Sequence, residues 1–132
     1  MIIQIPASPG EVLDKLTILD IKLERIGDPA KRANVAREHA ELTTAWDAAL
    51  APHGELAARI AEHRAALRAV NERLWEVEDE LREHERRGDF GAAFIELARA
   101  VYRTNDQRAA LKRQVNDLLG STLLEEKSYA AY

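Results

Sequence analysis

Apolar side chains recur at alternating steps of four and three residues along most of the chain, the spacing that aligns one face of an α-helix. The longest stripe, Leu56, Ile60, His63, Leu67, Val70, Leu74, Val77, Leu81 and His84, is a coiled-coil-type seam. A second runs through Phe90, Phe94, Leu97, Val101, Thr104, Arg108, Leu111, Val115 and Leu118. A shorter one, Val35, His39, Leu42, Trp46 and Ala49, precedes both.

The punctuation divides these stripes into four helices. Ser8, Pro9 and Glu11 read as a cap, a first helical residue and a capping box, and Gly27 as a stop, so the first helix covers 8–26. Asp28-Pro29 repeats the start signal, and Pro52-His53-Gly54 breaks the second helix. The third runs from Glu55 to Arg87. Gly88-Asp89 makes the turn, with Asp89 as the cap of a fourth helix that stops at Gly120. Residues 2–5 suit a short extended segment ended by Pro6, and 121–132 a tail with room for one more short helix.

The fold class is therefore all-α, with 1–132 as a single helical-bundle domain. The third helix is roughly 50 Å long at 1.5 Å per residue, against a radius of gyration of ~14 Å for a compact domain of this size. An elongated bundle follows, built on a long antiparallel hairpin of the third and fourth helices and lined by the two shorter ones. A turn at Gly88-Asp89 sets His84 against Phe94, Val77 against Val101, Val70 against Arg108 and His63 against Val115. The seam is then apolar at both ends and polar in the middle, where Asn71, Thr104, Asn105 and Arg108 lie.

Arg108 occupies a seam position where the spacing calls for Leu or Val, and an unpaired buried guanidinium is costly. Asp20 and Asn105 are its candidate partners. Asp14, Lys15, Asp20 and Lys22 on the first helix, with Tyr102, Arg103, Asn105, Arg108 and Lys112 on the fourth, form either a structural ion-pair layer or a site for a small anion or dicarboxylate. The first helix also carries apolar residues on two sides: Val12, Leu16, Leu19, Leu23 and Ile26 on one, Ile18 and Ile21 elsewhere. Its second face calls for cover from the tail or from another subunit.

Composition narrows the chemistry. There is no cysteine, which excludes disulfides, thiolate nucleophiles and Cys-based zinc sites. Three of the four histidines fall on apolar stripes, and their spacing matches no zinc or di-iron pattern, so no metal and no cofactor is expected. A formal net charge of -4, with arginines interleaved among acids, argues against nucleic acid as a partner. No signal peptide and no apolar run of membrane-spanning length is visible, so the expectation is a cytoplasmic protein with no membrane partner.

Two segments carry a family resemblance. Residues 8–26, Ser-Pro-Gly-Glu-Val-Leu-Asp-Lys-Leu-Thr-Ile-Leu-Asp-Ile-Lys-Leu-Glu-Arg-Ile, form the first. The stretch 101–132, with Tyr-Arg-Thr-Asn-Asp-Gln-Arg at 102–108 and Glu-Glu-Lys-Ser-Tyr at 125–129, forms the second. Together they resemble a family of small bacterial helical proteins classed as a domain of unknown function, a likeness that implies a bacterial origin and supplies no catalytic residue. The first helix is also similar to the first helix of the all-helical chorismate mutases, which bind a dicarboxylate with Arg and Lys. No complete set of that family's active-site positions can be laid on this chain.

Two functions from different classes fit this reading. The first is a non-catalytic interaction or oligomerisation module, either a homodimer or an adaptor for another bacterial protein. The second is a binding protein or enzyme for a small carboxylate metabolite held by Lys15, Lys22, Arg103, Arg108 and Lys112. What separates them is whether these cations converge on a pocket or are each taken up by an Asp or Glu.

Overall fold

The computed structural model describes residues 1–132 as α1 (Pro9–Arg25), α2 (Pro29–Leu50), a 3₁₀ turn (Ala51–Leu56), α3 (Ala57–Arg87) and α4 (Ala92–Leu118). The two proline-led starts form as the sequence predicts. Ser8 Oγ accepts the Glu11 N–H at 3.3 Å, and Asp28 Oδ1 accepts from Ala30 and Lys31 at 2.9 and 3.0 Å. Each satisfies amides that no helical carbonyl can reach. Gly88 ends α3 at φ 65°, a left-handed conformation that a side chain would strain, and the Gly88 and Asp89 amides return to Glu85 and His84.

Other boundaries differ from expectation. Gly27 takes no left-handed conformation; α1 instead leaves through Ile26 in an extended one. The α4 helix starts at Ala92 with Gly91 as its cap residue, later than Asp89 predicted. The Asp89 carboxylate is used one step earlier, accepting the Gly91 N–H in a local turn, which leaves Phe90 outside the helix with its ring edge-on to Phe94. Residues 2–5 pair with no strand, and 121–132 form no helix.

The α1 helix lies at the centre, packed on α2, α3 and α4. Leu13, Leu16, Leu19 and Ile21 are all at most 1% exposed. Full burial of such a side chain stabilises by about 1.5–3 kcal/mol, an upper bound because the unfolded chain is itself partly compact. Leu13 and Leu16 join Trp46 of α2, Ile60 and Leu67 of α3 and Val115 of α4 in one cluster. The α1 helix is thus covered for the most part by α2 and by the α3–α4 hairpin rather than by the tail, with Ile18 and Leu23 left partly exposed. By contrast, α2 buries only Trp46.

The α3–α4 hairpin forms as predicted near its turn, where the rings of buried His84 and Phe94 stand 6.2 Å apart. His63 is half-buried, and its Nδ1 bonds back to the Arg59 carbonyl at 2.7 Å. No helix is long and apolar enough to cross a membrane.

Candidate functional site

The polar middle of the bundle is built around Asp14, 1% exposed on α1. Arg108 of α4 approaches it edge-on, Nε donating to Oδ1 at 2.9 Å and Nη2 to Oδ2 at 2.6 Å. Asn71 of α3 donates from Nδ2 to the same Oδ1 at 2.9 Å and to Thr17 Oγ1 at 2.9 Å. The Thr17 hydroxyl donates to the Asp14 carbonyl at 2.7 Å. Three helices therefore meet on one carboxylate whose acceptor sites are largely filled. The bonds to Asp14 raise the Arg108 pKa above its ordinary value, outweighing the opposing effect of burial, so the guanidinium stays charged.

Asp20 and Asn105, the partners expected for Arg108, are not the residues that hold it. Asp14 and Asp20 are six residues apart, about 120° around a helix, so only one can face the hairpin. Asp20 faces outward and bridges α2 and α3, meeting His39 Nε2 at 2.8 Å and Arg64 Nη2 at 2.7 Å.

The remaining predicted residues are dispersed. Lys15 pairs with Glu38 on the surface. Lys112, 7% exposed, sits between Glu11 and Glu125 at 2.7 and 2.6 Å. Glu11 is thereby drawn to Lys112, although its spacing from Ser8 suggests a capping box. Burial lowers the Lys112 pKa, but the bonds to the two carboxylates outweigh it and leave the ammonium raised above its usual range. Tyr102 stacks edge-on against Tyr132 at 5.0 Å, and the Tyr132 hydroxyl donates to Asp106 at 2.6 Å. Lys22 is half-buried and Arg103 exposed; neither joins an ion pair.

Two depressions flank Arg108. One, of about 260 Å³, lies between Glu11, Lys112, Glu125 and Lys127, where the tail crosses α4. The other, about 430 Å³, is lined by the apolar Ile18, Ile21, Leu74 and Trp75 and by the polar Asn71, Asn105 and Arg108. Glu78, Asp79 and Arg82 also line it, with Arg82 paired to Glu78. The apolar lining was readable as seam and flank positions, but Trp75 drew no notice because it lies one residue off the α3 stripe.

Two further buried contacts were missed. Gly10 donates its amide to Asn116 Oδ1 at 2.7 Å. A Cβ at Gly10 would lie 2.3 Å from the Lys112 carbonyl oxygen, so glycine is what lets α1 meet α4 this closely. In the sequence, Gly10 reads only as part of the helix start. Asn116, 1% exposed in the interior of α4, was the available signal, since a buried amide requires a partner.

No group of three or more His, Asp or Glu side chains is close enough together to hold a metal ion. Searches of curated proteins and of solved structures find no match. Residues 2–132 match the model for a family of unknown function, DUF6165, and the chain belongs to that family.

Proposed function

We propose that the chain is a non-catalytic helical module that associates with a second copy of itself through its N-terminal segment. The observation that carries this is the exposure of Ile2, Ile3 and Ile5, at 81%, 74% and 75%. Three β-branched residues stand in solvent beside a bundle whose central helix, α1, is packed on all three others. Each gains about 1.5–3 kcal/mol if removed from water. Contiguous apolar surface of this kind marks interaction sites.

The charge pairing supports the same reading. Lys15, Arg108 and Lys112 are each met by carboxylates, and the unpaired Lys22 and Arg103 line neither depression beside Arg108. The Arg108 layer accordingly acts as a register-fixing network.

Size-exclusion chromatography with light scattering tests the proposal on the wild type and on a variant lacking residues 2–5, which keeps the Ser8 cap. The expected result is a two-chain wild type and a single-chain, fully helical variant. Equal masses for the two would refute the role of the segment. In a parallel thermal-shift screen, a rise in midpoint with a carboxylate metabolite would favour the metabolite-binding reading instead.

A further inference from the structure

Residues that line the groove beside Arg108 have unused hydrogen-bonding groups. Arg108 spends Nε and Nη2 on Asp14, and Asn71 spends its Nδ2 on Asp14 and Thr17. Arg108 Nη1, Asn71 Oδ1 and the Asn105 amide carry no hydrogen bond within the chain. None is sealed away, because Thr43 Oγ1 is the one enclosed side-chain atom without a partner. Asn71, Asn105 and Arg108 line this groove together with the apolar Ile18, Leu74 and Trp75. An extended peptide has the matching features, since its carbonyls accept, its amides donate and its apolar side chains meet the apolar lining.

Charge narrows the occupant. Arg108 is neutralised by Asp14 and Arg82 by Glu78, while Asp79 has no ion-pair partner, so the groove carries a surplus negative charge and disfavours an anion. Residues 1–7, Met-Ile-Ile-Gln-Ile-Pro-Ala, have no charged side chain. Seven extended residues span about 23 Å. We propose that the groove receives residues 2–5 of a second copy, an exchange of arms that rests on the self-association proposed above. Within its own chain the segment is not seated there. Pro6 and Pro9 bias Ile5 and Ser8 toward extended backbone, as seen at Ser8 (ψ 152°), and the three isoleucines stay in solvent. Reciprocal exchange makes the pair closed and symmetric, because each copy gives one arm and one groove.

Photocrosslinking of isotopically mixed chains tests this. A full-length Ile3→p-benzoylphenylalanine variant is mixed with heavy-nitrogen-labelled wild type, irradiated and mapped by mass spectrometry, with sedimentation run on the same mixture. Light arm peptides are expected on heavy peptides containing Leu74 and Trp75. Leu74→Asp in the labelled partner is expected to cut that yield about tenfold or more, because it sets a charge against the isoleucines. Circular dichroism of Leu74→Asp checks that the bundle is intact; if that variant unfolds, Leu74→Ser replaces it with the same expectation. Association with crosslinks only elsewhere, or only within one chain, overturns the groove assignment and leaves self-association standing. A purely monomeric mixture overturns both.

Discussion

Arg108 and Asp14, 94 residues apart in the chain, are joined by two parallel hydrogen bonds of 2.9 and 2.6 Å at the point where α1, α3 and α4 meet. Arg108 remains 28% exposed while Asp14 is enclosed, so the two partners depend on the pair unequally. Arg108→Met is expected to strand a buried carboxylate and lower stability by about 3 kcal/mol in a urea melt. Adding Asp14→Leu to Arg108→Met should recover much of this loss, because the stranded charge is then gone. A single variant as stable as the wild type would contradict the structural role of the pair.

The contact between Gly10 and α4 gives a steric prediction. Gly10→Ala puts a methyl group 2.3 Å from a backbone oxygen of Lys112, which no side-chain rotation can relieve. The helices must separate, at a cost of about 1–3 kcal/mol. Gly27→Ala and Gly54→Ala meet nothing within 4 Å and avoid left-handed backbone, so both should be close to neutral. Thermal melts of the three variants compare them directly.

Lys112 makes a prediction at alkaline pH. Its pKa is raised above the ordinary 10.5 because the bonds to Glu11 and Glu125 outweigh burial. A folded-state pKa above the unfolded one stabilises the fold at all pH values below the unfolded pKa, and that stability is lost as pH rises through the folded value. Lys112→Met should flatten the stability curve in that alkaline range relative to wild type. Glu11 and Glu125 are solvated, so their loss of a partner adds little. Urea midpoints measured across the range for both proteins check this; parallel curves would mean the ammonium gains nothing from its two carboxylates.

What was legible in the sequence was local or periodic. Ser8-Pro9 and Asp28-Pro29 begin helices because capping depends on a few adjacent residues. Gly88 fixes the α3–α4 turn and with it the meeting of His84 and Phe94. The polar layer was also visible, since Arg108 and Asn71 interrupt or flank apolar stripes. Its wiring was not. Choosing Asp14 over Asp20 requires the rotation of α1 about its axis, and that is set by α2 and the hairpin together. Glu11 and Glu125 converge on Lys112 for the same kind of reason, through contacts between the start of α1, the end of α4 and the tail. Gly91 shows the reverse case, where a local signal at Asp89 was diverted into a turn and the helix began later.

Sedimentation equilibrium of the untagged wild type tests the central claim most directly. The account predicts a concentration-dependent mass approaching twice the 14.8 kDa of one chain, with Ile3→Asp held at a single chain. A wild-type mass of 14.8 kDa throughout the micromolar range would contradict it.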